Sequence, residues 1–238
     1  IGKNYPVELG VVADANSFIE ALWAEIASEP ADTAARQHWA GKVADLIVPW
    51  NKKLDPGRTD RALPLRISAV LDIVHDAVPP DTIVLTGAGH SQAQFLQEYT
   101  VNDASQVISP NGFSTMGFTI PGAIGARLAA PDRPVLGFAG DGDFLMTVQE
   151  LAMAVQYGLD VIYVVVDNAG WQSIRDLQMD AYGEDRGFAA EFRRPDGESV
   201  NPDLVTVARG FGVQAEEATD EQALKGAIGR ALALGGPT

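Results

Sequence analysis

VLGFAGDGDFLMTVQELAMAVQYGLDVIYVVVDNAGWQSIRDLQ, residues 135–178, is the stretch whose reading decides the fold. Val135–Ala139 is a short apolar run that breaks at Gly140-Asp141-Gly142, as a strand does on entering a tight turn. From Phe144 to Tyr157 apolar residues recur at Leu145, Val148, Leu151, Ala152 and Val155, a helical period closed by Gly158. Val161–Val166 is almost wholly apolar and β-branched, as a strand buried on both faces should be, and it stops at Asp167-Asn168-Ala169-Gly170. Together they predict one βαβ unit of a parallel sheet.

In such a sheet ligands sit outside the carboxyl ends of the strands, so the two polar turns face one site. Gly140 and Gly142 let backbone approach a ligand closely, and the helix start at Asp143 and Phe144 directs N–H groups at an anion such as a phosphate. Asp141 and Asn168 offer two hard oxygen ligands. With a backbone carbonyl of the second turn they supply half an octahedron, the rest being phosphate oxygens and water, as Mg²⁺ prefers. Gly-Asp-Gly alone is an ordinary strand-to-helix turn; its pairing with Asn168 at the next strand end is what points to a metal-bridged diphosphate.

Composition bounds the rest. The chain has 238 residues, a formal charge of −15 and a pI near 4.4. That suits one large domain, or one domain with a tail, and argues against nucleic acid or an anionic membrane as partner. No cysteine is present, which excludes disulfides and thiolate chemistry, and His38, His75 and His90 are too scattered for a metal cluster. No apolar run is long enough to span a bilayer and no signal peptide opens the chain, so a cytoplasmic protein is expected.

In chain order, Val7–Ala13 reads as a strand and Asn16–Ile26 as a helix, with Asp14 placed to end the one or cap the other. Ala31–Trp50 reads as a further helix, and Asn51–Arg61, with Pro56-Gly57, as a polar linker with a turn. The main domain is expected from residue 63: a helix after Pro64 through Ile67, Val70, Leu71 and Val74, ended by Pro79-Pro80, then a strand at Asp81–Thr86. The turn Gly87-Ala88-Gly89-His90-Ser91-Gln92 offers a second set of diphosphate contacts from Ser91, Gln92 and backbone N–H groups. In Ser109–Arg127 the backbone is punctuated by Pro110, Gly112, Gly117, Pro121 and Gly122, typical of chain packed against a ligand, before helix resumes at Pro121. Asp180–Asn201 reads as a polar loop that orders over a bound cofactor, followed by a helix at Pro202–Arg209, a strand at Val213–Ala215 and a helix at Asp220–Leu234. The expected fold is α/β: a doubly wound, mostly parallel sheet with helices on both faces, preceded by the tail of a second α/β domain (1–50) and a linker (51–62).

Gly140-Asp141-Gly142 followed by Asn168 resembles the metal-diphosphate signature of thiamine diphosphate (ThDP) enzymes, and Ser114-Thr115-Met116-Gly117 resembles the Gly-Thr-Met-Gly motif of the acetolactate-synthase-like members. The resemblance covers 63–238 well and the first fifty residues loosely. It implies that Asp141, the Asn168 side chain and the Gly170 carbonyl hold Mg²⁺, and that Ser91, Gln92, Ser114, Thr115, Gly140, Gly142, Asp143, Phe144, Gly170, Trp171 and Gln172 line the cofactor. Met116 would bend the cofactor into a V, the Ser114 carbonyl would accept from its 4′-amino group, and Ile174 would flank the reactive carbon. Departures are Asp167 for the first Asn of the usual pair, Asp143 for a frequent Ser, and His90 and Ser91 within the Gly-x-Gly-Gln-His-Gln pattern, of which only Gln92 matches. A carboxylate at Asp143 is unfavourable beside a diphosphate unless it points away, so its side chain is assigned no ligand contact. Leu177 stands where the synthases place a tryptophan. Trp171 and Arg175 read equally as substrate contacts or as the buried and solvated sides of an amphipathic helix.

The family's activating glutamate lies in a pyrimidine-binding domain, and no carboxylate of this chain matches its motif. The resemblance therefore implies one half of a site completed by the pyrimidine domain of another subunit in a homodimer or homotetramer, in a subunit more than twice as long. The implied activity is formation or cleavage of a C–C bond beside a carbonyl, first of all 2-oxoacid decarboxylation with carboligation. The alternatives are hydrolysis of a cyclic 1,2-diketone and a non-catalytic cofactor-binding half; a plain nucleotide-binding domain is disfavoured by the lack of Gly-x-Gly-x-x-Gly. FAD, found in some members, is held mainly by the central domain and is not readable here.

Overall fold

A computed structural model describes residues 2–28, 32–101, 103, 106–184 and 186–238. The chain forms two compact units, Ile1–Asn51 and Lys52–Thr238.

In the first, the expected strand at Val7–Ala13 does not form; those residues are irregular, and among the described residues no strand lies alongside to pair with them. Helix α1, Ala15–Ile26, is capped by Asp14, whose carboxylate accepts from Ser17 N at 3.0 Å. Phe18, Leu22, Trp23 and Ile26 remain exposed.

Helix α2, Thr33–Thr59, runs straight through the segment expected to be a linker. Pro56-Gly57 reads as a turn by local rules, but tertiary anchors hold the helix end: Arg58 donates to the Glu98 carbonyl at 2.8 Å, and Arg61 pairs with Asp72 at 2.7 Å and Glu221 at 2.9 Å. Residue 31, the expected start of this helix, lies outside the described residues.

The second unit carries α3 (Ile67–Ala77), β1 (Ile83–Thr86), α4 (His90–Glu98), β2 (Val107–Ile108), α5 (Thr119–Ala129), β3 (Val135–Gly140), α6 (Asp141–Met146), α7 (Leu151–Gln156), β4 (Ile162–Val166), α8 (Gln172–Tyr182), α9 (Leu204–Gly210) and α10 (Glu221–Leu234). The strands are all parallel, in the order β2-β1-β3-β4. Alternation assigns the faces. Val84, Leu136, Phe138 and Ile162 pack with Leu71 and Val74 of α3, Phe95 of α4 and Leu224 and Ile228 of α10. On the other face Ile83, Leu85 and Val135 meet Ala123 and Ala126 of α5, while Ala139 meets Leu151 of α7 and Ala208 of α9. Helices on both faces make the sheet doubly wound, as expected.

Two local expectations are corrected. The single helix expected over Phe144–Tyr157 breaks at Thr147, whose hydroxyl donates to the Gly117 carbonyl at 2.9 Å; a 3₁₀ turn at Val148–Glu150 then leads into α7. Gly158 ends α7 at φ 57°. Val213–Ala215 forms no strand: Val213 is buried against α9, and Arg209 holds the Ala215 carbonyl at 2.7 Å. Strand β2, two residues long, was not expected. Thr238 pairs with the backbone of Val161 and Tyr163 at 3.0 and 2.7 Å along β4. Among the described residues no helix is long and apolar enough to cross a membrane.

Candidate functional site

The chain leaves β1 toward β2 on one side and returns through β3 to β4 on the other, so the strand order reverses between β1 and β3. The crevice at the carboxyl ends of those strands is where such sheets bind ligands. The turn after β1 and the Gly140-Asp141-Gly142 turn after β3 both open there. They are in contact: a Cβ on Gly140 would come within 3.2 Å of Ser91 Oγ.

Asp141, 2 % exposed, faces the turn after β4. One carboxylate oxygen accepts from Gly142 N at 2.8 Å; the other accepts from Gly170 N at 3.1 Å and from Asn201 Nδ2 at 3.2 Å. Burial holds its carboxyl above the ordinary range and the neighbouring Asp167 adds to this, while the Gly142 and Gly170 N–H groups oppose it. Asn168 Oδ1 is buried without a hydrogen-bond partner. A buried acceptor left open in the turn that Asp141 contacts through Gly170 N, with neutral and anionic hard oxygens from two adjacent strand ends, fits a Mg²⁺ ion. Among the described residues no three His, Cys, Asp or Glu side chains converge, so a nitrogen- or sulfur-rich metal centre is not built here.

Asp143, also 2 % exposed, turns the opposite way. Its carboxylate accepts from Gly117 N at 2.6 Å, from Thr119 Oγ1 and from Ala88 N, and burial pushes its pKa up. It lies against Gly87, where a Cβ would fall 2.3 Å from Asp143 Oδ1. Its oxygens thus join the turn after β1 to the 117–119 segment, and its side chain is not presented to a ligand. The Phe144 side chain is equally committed, in the core with Ile120 and Leu151; only the backbone of these two residues can line a cofactor.

Gln92 is buried and holds the loop before α5: its amide donates to Ser109 Oγ at 2.7 Å and accepts from Ser114 Oγ at 2.9 Å. Ser114 takes φ 49°, rare for a residue with a side chain, as though the loop were held in a strained shape. Thr115 is exposed and Met116 half-buried. The Trp171 ring covers Gly142, where a Cβ would meet Cζ3 at 2.3 Å, and Phe192 stands edge-on to it at 5.3 Å. Gln172 Nε2 donates to the Asn168 carbonyl at 3.2 Å, fixing the turn. Ile174 and Leu177 are 50 % and 65 % exposed on α8, and Arg175 pairs with Glu191 at 3.4 Å. Sequence reasoning missed Asn201, which reaches Asp141 from the following loop. No motif surrounds it, and only its place at the end of a polar loop could have drawn notice.

The family model for the thiamine pyrophosphate enzyme, C-terminal TPP binding domain, matches residues 87–238. The chain belongs to the thiamine pyrophosphate enzyme family. Among the relatives of this ThDP-enzyme chain, a 3D-(3,5/4)-trihydroxycyclohexane-1,2-dione hydrolase of Bacillus velezensis is 34% identical over 155 residues, 65% of this chain and 24% of the relative. An acetolactate synthase 1, chloroplastic, of Oryza sativa subsp. japonica is 29% identical over 250 residues, covering 100% of this chain and 36% of the relative. The crystal structure of a benzoylformate decarboxylase from Polynucleobacter necessarius superposes with a TM-score of 0.61 at 24% identity, over 75% of this chain and 33% of that one, which shows the shared fold. The chain thus spans about a quarter to a third of the length of these ThDP-enzyme relatives.

Proposed function

We propose that this domain holds the diphosphate end of ThDP through Mg²⁺ bound by Asp141, the Asn168 side chain and the Gly170 carbonyl, in a subunit that makes or breaks a C–C bond next to a carbonyl. The observation that carries this is the buried, unpartnered Asn168 Oδ1 in the turn after β4 that Asp141 contacts through Gly170 N. When bound, ThDP supplies a carbanion that adds to a carbonyl and then accepts the electron pair of the bond that breaks.

This chain's residues bind and orient. Asp141, fixed by Gly142 N and Gly170 N, presents charge to the metal without having to reorganise. Gln92, through Ser109 and Ser114, sets the backbone of 114–116 so that the Ser114 carbonyl can accept from the aminopyrimidine and Met116 can support the bent cofactor. Thr115, Gly140, Trp171 and Gln172 line its diphosphate side, and Ser91 closes the turn over Gly140. Ile174 and Leu177, exposed on α8, offer an apolar face suited to substrate, and Phe113, 97 % exposed on the loop before α5, offers a further apolar contact for a pyrimidine-binding domain of another subunit. That partner would supply the activating acid, and a homodimer or homotetramer follows from it.

The reaction proposed first is 2-oxoacid decarboxylation with carboligation, a lyase or transferase activity supported by a match that runs over the whole of this chain and 36% of an acetolactate synthase. A C–C hydrolase acting on a cyclic 1,2-diketone is the second reading, favoured by the higher identity to the dione hydrolase and by Leu177 at the synthases' tryptophan position. The test is calorimetric titration of ThDP into the intact protein with and without Mg²⁺, then product analysis with pyruvate and with a cyclohexane-1,2-dione. Metal-dependent binding lost in Asp141→Ala supports the site; binding indifferent to metal refutes it. The product decides between the two reactions.

A further inference from the structure

Asn201 ends the segment that follows α8, and its side chain does something no local motif requires. Its amide nitrogen donates both to Asp141 Oδ2, at 3.2 Å, and to Asp167 Oδ1. Two carboxylates from neighbouring strand ends are therefore bridged by one NH₂ group, which uses both its protons and fixes which end of the amide is nitrogen. Its other end, Oδ1, is buried with no partner, as is Asn168 Oδ1. A carboxylate offers about four acceptor positions. Three on Asp141 are taken by Gly142 N, Gly170 N and Asn201, which leaves room for one metal bond while Asn201 stays in place.

The segment Asn201 belongs to lies on the turn after β4. Trp171 N donates to the Ala190 carbonyl at 2.7 Å, Phe192 N to the Ala169 carbonyl at 2.9 Å, and Val200 N to the Phe192 carbonyl at 2.9 Å. Asn201 is its polar side-chain link to the two carboxylates. We infer that Asn201 is a positioning residue of the metal site: it orients Asp141 for the metal and couples the order of residues 186–201 to metal occupancy. Mg²⁺ retains several of its waters. A water on a bound Mg²⁺ would supply the donor that the buried Asn201 Oδ1 lacks, and metal binding would then add a bond between the site and the segment. The inference rests on the metal site proposed above.

The test uses the intact protein and two readouts other than turnover. The first is hydrogen exchange in peptides spanning 186–201 with and without Mg²⁺ and ThDP; the second is the dissociation constant for Mg²⁺ in the presence of ThDP. In the wild type, exchange slows about tenfold on loading. In Asn201→Ala that slowing disappears and the metal constant rises about tenfold, the scale of losing a residue that orients a metal ligand. Asn201→Asp keeps the shape, loses both N–H donors and adds a carboxylate; it too loses metal-dependent protection, although its added charge attracts the cation. Unaltered protection and affinity in Asn201→Ala, or wild-type protection in Asn201→Asp, overturns the inference and leaves the metal site standing. A wild type that neither binds Mg²⁺ with ThDP nor gains protection overturns both.

Discussion

Removing the Asp143 carboxylate tests whether one buried side chain holds the floor of the site together. In Asp143→Ala the Gly117 and Ala88 N–H groups lose their acceptor in a buried place, and the Thr119 hydroxyl, free to rotate, loses its own. Each orphaned backbone donor costs about 1–3 kcal/mol. None of the three partners is cationic, so relief from burying an ionised carboxylate offsets part of this, for a net loss of about 2–4 kcal/mol at neutral pH. Asp143→Asn keeps one acceptor but turns an NH₂ group at a donor, and is expected to lose about 1–3 kcal/mol. The pH dependence has a definite sign. Folding raises the Asp143 pKa above its ordinary 3.8, so just above that value the folded protein binds more protons than the unfolded chain. The contribution of Asp143 to stability is greatest below 3.8, falls as pH rises through the window between 3.8 and the raised folded value, and is flat above it; Asp143→Asn removes that slope. Denaturant midpoints of wild type and both variants across this range, followed with the site unloaded, decide the matter. An Asp143→Ala protein as stable as wild type at neutral pH would refute the reasoning.

Asp141→Ala is expected to weaken Mg²⁺-dependent ThDP binding by about 100-fold or more in calorimetry, since it removes the one anionic side chain proposed for the metal. Gly142→Ala places a methyl 2.3 Å from Trp171 Cζ3; Trp171 must move, and a shift in its fluorescence with weakened cofactor binding reports it. Tyr163 OH is buried without a partner and burial raises its pKa, so Tyr163→Phe should leave the melting temperature unchanged or raise it by an amount equivalent to about 1 kcal/mol. Asp203 caps α9 through Thr206 N at 2.9 Å and the Thr206 hydroxyl at 2.6 Å; Asp203→Ala should lower the melting temperature in the same assay.

What the sequence disclosed and what it withheld divide along the range of the forces involved. Strands β1, β3 and β4 were legible because a strand buried on both faces must be apolar over its whole length, and turns such as Gly140-Asp141-Gly142 were legible because backbone geometry restricts which residues serve there. The break at Thr147 was hidden, since its cause is the Gly117 carbonyl, far away in the chain. The continuation of α2 through Pro56 was hidden for the same reason: its anchors are Asp72, Glu98 and Glu221. Strand β2 is too short to carry a period, and Val213–Ala215 has strand composition but is held by α9 and Arg209. Within the site, the turn residues could be read from their motifs. Asn201 could not, because its meaning comes only from reaching Asp141 across the fold.

The pair Asp141 and Asp143 shows why a short motif at this strand end can serve both ligand and scaffold. Residues two apart at the start of a helix project to nearly opposite sides. Asp141 accordingly meets the turn after β4 and Asn201, while Asp143 meets Ala88, Gly117 and Thr119. The surrounding glycines follow from that arrangement. A Cβ at Gly87 would collide with the Asp143 carboxylate, one at Gly117 would fall 2.7 Å from Thr147 Cγ2, and one at Gly142 would strike Trp171. Each lies where a second segment packs directly on the glycine, and these contacts join the turn after β1, the segment before α5 and the turn after β4 to the residues that follow β3. The glycines are thus required by protein packing before any ligand arrives. A glycine-rich strand end is evidence of a crowded switch point, and the proposed metal rests instead on the open oxygens of Asn168 and Asn201 in the segments that Asp141 contacts.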